Sequence, residues 1–303
     1  MTRKSRGEKI DGWLALDKPA GLSSAKAVAQ VRRLFNAAKA GHAGTLDPLA
    51  TGILPIALGE ATKTVAYVMD GAKTYRFTVR WGEARSTDDS EGAVIASSAV
   101  RPQPAAIAAA LPHFTGEILQ RPPDFSALKI AGRRAYDLAR HEQPVELAPR
   151  LVRIDRLAYL GSADADHASF EMSCGKGTYV RSLARDLAVK LGTYGYVAEL
   201  RRSQAGPFGE DRAISLAKLE ALGHIPARLT HLLPVLTALD DIPALALTED
   251  EANRLHQGQA VPKPRSSDVS VSPPVLRAMS GDRLIALVRY DGDLLKSVRV
   301  LNL

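Results

Sequence analysis

The polar and apolar positions of the chain change period several times, and each change marks an element. "GWLALD" is a short apolar run of strand type, followed by a turn through Pro19 and Gly21. Ser23 or Ser24 then caps a helix, because a serine oxygen accepts from an orphan backbone N–H. That helix carries Val28, Val31, Leu34 and Phe35 on one face and ends near Asn36. A second helix is predicted around residues 64–69. In "KTYRFTVRWG" the period becomes two: Tyr75, Phe77, Val79 and Trp81 alternate with Thr74, Arg76, Thr78 and Arg80. This is a half-buried strand, and it puts the Tyr75 hydroxyl in a semi-enclosed place.

"EARSTDDSEG" reads as a polar turn and "PAAIAAALPHF" as a small helix. "LQRPPDFSALKIAGRRAYDLAR" starts as a loop and is expected to end as a basic helix, with Arg133, Arg134 and Arg140 flanking Tyr136 and Leu138. "LVRIDRLAYL" and "ASFEMSC" are further strands. "GKGTYVRSLARDLAVKLG" has Thr178 as the expected N-cap, an apolar stripe of Val180, Leu183, Ala184, Leu187 and Leu191, and Gly192 as the stop. After Pro243 a capping box, Thr248 and Glu251, opens a short helix. A loop-like stretch "PKPRSSDVSVSPP" and a hairpin turning at Asp291-Gly292 follow. Strands and helices do not alternate regularly. The fold class is therefore α+β, with a mixed, largely antiparallel sheet flanked by helices. Residues 1–242 form the main domain and 243–303 a small, mostly β C-terminal one.

Between the first helix and the next strand lies "AGHAGTLDPLATG", which has neither period. Pro48 keeps Asp47 out of the helical region and stiffens the backbone. Gly41, Gly44 and Gly52 allow tight turns or close approach. A carboxylate on a stiff loop suits catalysis that depends on positioning, and it also suits a turn cap. Arg181 falls in the first turn of its helix, where a cation opposes the dipole, at the edge of the apolar stripe. A buried guanidinium calls for a carboxylate, and Asp47 and Asp89 are both candidates. Lys18 reads as an ordinary surface lysine, His42 as a loop histidine with room to project, and Cys174 as a small buried hydrophobe. "GKGT" lacks the upstream glycine of a phosphate loop, which excludes an NTPase of that type.

Composition narrows the class further. The chain has 303 residues, 40 Lys and Arg against 33 Asp and Glu, a net charge of +7 and one cysteine. The basic excess, with patches at "TRKSRGEK" and "KIAGRRAYDLARH", suits a polyanionic partner or a well-solvated surface. A single cysteine allows no internal disulfide, and the seven scattered histidines show no metal-ligand spacing. No apolar run reaches membrane length and no signal-type stretch follows the basic start. The chain reads as cytoplasmic, with no zinc cluster.

Six segments taken in order resemble the bacterial tRNA pseudouridine-55 synthase family, the TruB family. They are "LDKPAGLSS", "AGHAGTLDPLATGILPIALGEATK", "KTYRF", "PPDFSALKIAGRRAYDLAR", "GKGTYVRSLARDLAVKLG" and "VAELRRSQAGPF". The resemblance implies the pseudouridine synthase fold with a PUA-like C-terminal RNA-binding domain, and an insertion at about 122–150 that clamps the tRNA T-arm. It implies Asp47 as the catalytic aspartate, Tyr75 as the tyrosine that stacks on the target base or serves as general base, and Arg181 as the aspartate's partner. Asp89 becomes the second acid of that network, and His42 helps hold the RNA loop open. Lys18, Lys129, Tyr179, Leu200, Arg133 and Arg134 become substrate-binding residues. The implied reaction flips a T-loop uridine out of its stack, breaks the N-glycosidic bond and rejoins uracil through carbon. It uses neither cofactor nor metal. A monomer is expected, with no obligate protein partner. A non-catalytic RNA-binding or tRNA-folding protein is the competing reading, but binding alone does not need a stiff acid. A DNA-binding regulator fits the charge but lacks a recognition helix.

Overall fold

The alternation of residues 73–81 places that segment in a ten-stranded mixed sheet, with Phe77, Val79 and Trp81 turned into an apolar core. The computed structural model describes residues 7–126, 129–130, 133–134, 147–263 and 275–303. The sheet is built from β1 (Gly12–Lys18), β2 (Thr51–Leu58), β3 (Lys73–Trp81), β4 (Gly116–Gln120), β5 (Arg150–Ser162), β6 (His167–Cys174), β7 (Gly195–Ala205) and β8 (Ile214–Ser215). Their spatial order is β8-β1-β2-β7-β3-β6-β5-β4, with Ala40–His42 added beside β2 and Phe208–Gly209 beside β7. Among the described residues of this sheet only β1–β8 and β7–β2 pair in parallel, so it is largely antiparallel.

One face of the sheet is covered by the helices Ser24–Leu34, Pro104–Ala110, Val180–Lys190 and Leu216–Ala221. Ala27, Val31, Ile107, Leu183, Leu187 and Leu219 from these helices join Leu14, Leu54, Phe77 and Phe170 of the strands in one core. The opposite face differs along the sheet. Over β1 and β2 it is apolar: Trp13, Ala15, Ile53 and Ala57 pack with Phe208, Leu239, Leu284, Leu287 and Leu301 in a second core. This explains why β1 and β2 are apolar on both sides rather than alternating. Over β3 and β6 the same face is polar, with Thr74 against Ser173 and Arg76 against Glu171.

The C-terminal part forms a five-stranded sheet from β9 (Ala244–Ala246), β10 (Val261–Pro262), β11 (Leu276–Ser280), β12 (Arg283–Asp291) and β13 (Leu294–Val300), in the order β9-β11-β12-β13-β10. The Thr248–Glu251 capping box opens the helix Glu249–His256 as expected. Polar clips join this part to the first: Lys63 Nζ donates to the Val300 carbonyl at 2.8 Å, and the Asn302 N–H donates to Glu60 Oε2 at 2.7 Å.

Several expectations are corrected. The hairpin turns one residue later than expected. Asp291 pairs with Leu294, and Gly292 takes the first turn position at φ +59°. Thr178 does not cap its helix. Its hydroxyl donates to the Gly175 carbonyl, and the N-cap is Tyr179. Gln120 serves there instead: its Oε1 accepts from the Tyr179 N–H at 2.8 Å, and its Nε2 donates to the Tyr179 carbonyl at 3.1 Å. "EARSTDDSEG" is only partly a turn, since Glu83–Arg85 pairs with Val94–Ser97. Arg133 and Arg134 are not helical; they form a two-residue strand paired with Lys129–Ile130. Tyr136, Leu138 and Arg140 lie outside the described residues. So do most of the basic N-terminal tail and most of the 263–274 loop.

Candidate active site

The loop that carries Asp47 is pinned at several points from below. Ser24 Oγ donates to the Leu46 carbonyl at 2.9 Å and accepts from the Leu46 N–H at 2.8 Å. The Pro48 carbonyl accepts from the Gly21 N–H at 2.8 Å and from Lys18 Nζ at 3.3 Å. Lys18 also donates to the carbonyls of Pro19 and Leu22, both at 2.8 Å. It is fully buried, which corrects the surface reading: its three donors are spent on backbone carbonyls of two loops. Burial lowers its pKa to about 8, against the opposing pull of the Asp47 carboxylate. It is not among the residues that line the cavity described next.

Asp47 opens onto a cavity of about 530 Å³. Thr45, Tyr75, Ser126, Tyr179, Arg181 and Leu200 share its wall. Arg181 Nε stands 3.0 Å from Asp47 Oδ2, and Nη2 donates to Asp47 Oδ1 at 3.3 Å. The same guanidinium stands 3.5 Å from Asp89 Oδ2 and donates to the carbonyls of Thr87 and Phe125 at 2.9 Å each. Both carboxylates considered as partners thus meet one arginine. Arg181 and Asp89 are within 5% of full burial, whereas the Asp47 side chain is 32% exposed. One acid of the pair is therefore structural in position and the other faces the cavity.

Burial raises the Asp89 pKa, opposed by hydrogen bonds from Thr87 Oγ1 and the Glu91 N–H and by the charge of Arg181. Asp88 faces away and pairs with Arg185 at 2.8 Å. Its φ of +58° is a left-handed conformation that aspartate tolerates, and it turns the two adjacent acids toward different arginines. Burial also raises the pKa of Tyr75, while the Arg202 guanidinium beside it pulls the other way. The Tyr179 phenol is raised by burial as well.

The sequence-predicted residues divide accordingly. Asp47, Arg181, Tyr75, Tyr179 and Leu200 meet at the cavity, and Asp89 stands directly behind Arg181. His42 ends the strand Ala40–His42, is not among the cavity-lining residues, and has a buried Nδ1 without a hydrogen-bond partner among the described residues. Burial, then the charge of Arg202, lowers its pKa. Lys129, Arg133 and Arg134 are described only as paired backbone. Arg202 went unnoticed in the sequence. It lines the cavity, is 1% exposed, and differs from its exposed-side neighbour Arg201 only in the face of β7 that it takes.

Comparison with known proteins identifies the family. Residues 32–180 match the model of the TruB family pseudouridylate synthase N-terminal domain, and residues 181–240 that of the tRNA pseudouridylate synthase B C-terminal domain. The chain is similar to the tRNA pseudouridine synthase B of Caulobacter vibrioides, 54% identical over 310 aligned positions and covering 100% of both chains. That of Rhodospirillum rubrum is 51% identical over 308 positions, again covering 100% of both. Among solved structures, a Cbf5-Nop10-Gar1 complex gives a TM-score of 0.73 at 24% identity, covering 95% of this chain and 84% of that one. An H/ACA RNP bound to a substrate RNA gives 0.72 at 21% identity, covering 99% and 91%. At such identities these two structures speak for the fold.

Proposed function

We propose a reaction from a plain premise: this chain belongs to the TruB family of pseudouridylate synthases. It is an isomerase that forms pseudouridine from uridine in tRNA. The finer reading is that its target is uridine 55 of the T-loop and that Asp47 is the reacting acid. The observation that carries it is the partly exposed Asp47 carboxylate, held by a buried guanidinium at the wall of a nucleoside-sized cavity.

The isomerisation breaks the N1–C1′ bond, turns the uracil and makes a C5–C1′ bond. The C5 proton leaves and N1 ends protonated, so atoms balance within the substrate. A stacked uridine cannot reach Asp47, so the nucleotide must be everted, at a cost of about a few kcal/mol. Arg181 holds the Asp47 carboxylate aimed through two contacts, at 3.0 and 3.3 Å. From there the carboxylate attacks the sugar, attacks the base, or stabilises charge as a sugar proton departs. Tyr75 supplies a ring against the uracil. Tyr75 is also the candidate base for the C5 proton; burial raises its pKa, and the Arg202 guanidinium beside it works against that rise. Leu200 and Tyr179 complete the pocket, and His42 helps keep the RNA loop open. Lys129, Arg133 and Arg134 meet phosphates from the insertion at about 122–150.

In the same reading residues 1–242 are the catalytic domain, and 243–303 form a PUA-like RNA-binding module. The protein works as a cytoplasmic monomer. Among the described residues no helix is long and apolar enough to cross a membrane. The deciding experiment incubates the protein with an unmodified tRNA transcript, without cofactor, and maps pseudouridine by chemical labelling. Labelling at position 55 is the expected result. Labelling confined to another position would overturn the assignment of the target.

A further inference from the structure

The acid loop begins and ends on glycines in left-handed conformation, Gly44 at φ +91° and Gly52 at φ +98°. Both are shaped around one residue. A Cβ on Gly52 would stand 2.2 Å from the Arg202 carbonyl oxygen, and a Cβ on Gly44 would stand 3.3 Å from Arg202 Nη1. The backbone of Arg202 pairs with Gly52 on β2 and with Tyr75 on β3. Its side chain reaches both ends of the loop. Nε donates to the Ile53 carbonyl at 2.7 Å, and Nη2 donates to the Gly44 carbonyl at 3.0 Å.

We propose that Arg202 is a positioning residue for the reaction: its guanidinium clasps the two ends of the 44–53 loop and so fixes where Asp47 stands relative to Arg181 and the everted nucleoside. The inference rests on the reading of Asp47 as the reacting acid. Arginine suits this task because its planar fork presents donors in fixed directions, whereas a lysine is a single point. The burial of this charge has no purely structural explanation in the ion pairs. Arg201 binds Asp17 at 3.0 Å and Glu210 at 2.6 Å, but Arg202 has no carboxylate partner among the described residues. A buried cation without a counterion stabilises a fold poorly compared with an apolar side chain of similar size. What it does supply here is a rigid link among β2, β3 and the acid loop, and a positive wall to the cavity that holds Tyr75.

The test uses Arg202→Lys, which keeps the charge but loses the fork, and Arg202→Met, which keeps the bulk and loses both. Single-turnover conversion of an unmodified T-arm transcript, transcript binding, melting temperature and amide exchange are measured on each. The amides of Leu46 and Ala50, both bonded at the loop, report its rigidity. Expected are a rate about 100-fold lower in both variants, binding within about twofold of the parent, and faster exchange at Leu46 and Ala50. A Lys variant that converts the transcript at the parent rate would overturn the clasp, as would variants that melt earlier with the rate intact. Should neither variant fold, the parent decides. Exchange of its Leu46 and Ala50 amides as fast as in a free loop sinks the proposal, and protection equal to that of β2 supports it. If the parent itself converts no uridine, the functional reading fails instead, and the exchange data still judge the clasp.

Discussion

Asp47 and Arg181, separated by 134 residues, meet with 3.0 Å between Oδ2 and Nε, and the pair is lopsided in burial. The arginine is enclosed and the acid is one-third exposed. Removing each should therefore do different things. On the proposed reading of Asp47 as the reacting acid, Asp47→Asn deletes that charge and leaves the fold intact, so conversion should vanish while transcript affinity stays within about twofold. Arg181→Met strips the counterion from the buried Asp89 carboxylate. Stability should drop by about 3–5 kcal/mol in urea denaturation. A methionine variant as stable as the parent would show that Asp89 is not paired inside the protein in solution. An Asp47→Asn variant that still converts uridine would remove the acid from the mechanism.

Lys18 gives the activity a pH signature. Burial brings its pKa to about 8, and in the ammonium form it donates to three carbonyls, one of them Pro48 beside Asp47. Above that pH it loses both a donor and its charge, and the loop loosens. Single-turnover rate should fall as pH rises through about 8, and this limb should be absent in Lys18→Met, whose rate is low throughout. The sign of the stability effect is opposite. The folded pKa lies below that of the unfolded chain, so between about 8 and 10.5 the unfolded state binds more protons and this group makes folding more favourable as pH rises. A rate that falls together with a melting temperature that also falls over this window would assign the limb to something other than Lys18.

How much of this was legible depends on how far each signal travels along the chain. The stiff loop was visible because Pro48 adjoins Asp47 and glycines flank it. The strand at 73–81 was visible because one of its faces is polar. The place of Arg181 followed from the stripe beside it. Arg202 was hidden because "RR" offers two identical side chains and only the sheet decides which one turns inward. The bulges between Val197 and Glu199 and between Arg202 and Gln204 shift the phase further. Lys18 was misread because its acceptors come from turns at Pro19, Leu22 and Pro48, and a surface lysine carries no local mark of that. The Tyr179 cap was missed because Gln120 reaches it from 59 residues away.

The cavity rim carries an exposed ion pair, and an RNA entering there would disturb it. Lys176 Nζ lies 2.8 Å from Asp70 Oδ1, and both residues line the cavity. Such an exposed pair contributes about 0–1 kcal/mol, so either partner can be changed without loss of fold. Asp70→Asn frees the ammonium and removes a charge that repels phosphate, so transcript affinity should rise. Lys176→Ala should weaken binding and reduce the slope of log affinity against log salt by about 1. Charge reversal at Arg133 and Arg134 should weaken binding and flatten the slope in the same way. Affinity titrations at several salt concentrations read all three. An unchanged slope in Lys176→Ala would place this rim away from the RNA backbone.

The second core ties the stability of the C-terminal sheet to that of the ten-stranded sheet. Trp13 of β1 packs on Phe208 with ring centroids 5.2 Å apart, and Leu284, Leu287 and Leu301 close the same cluster. Leu287 is fully buried, so Leu287→Ala should cost about 2–5 kcal/mol. That cost should fall on a single cooperative transition. The chain's two tryptophans allow a direct check, because Trp13 sits in this core and Trp81 in the other. Trp13→Phe and Trp81→Phe each leave one fluorescent reporter. Urea transitions followed through the remaining tryptophan should coincide with the loss of helical circular dichroism in both variants, and Leu287→Ala should move both midpoints together. A Trp81 signal that stays in place while the Trp13 signal shifts would mean that the two cores unfold independently. The C-terminal sheet would then be a separate module resting on the sheet rather than a wall of it.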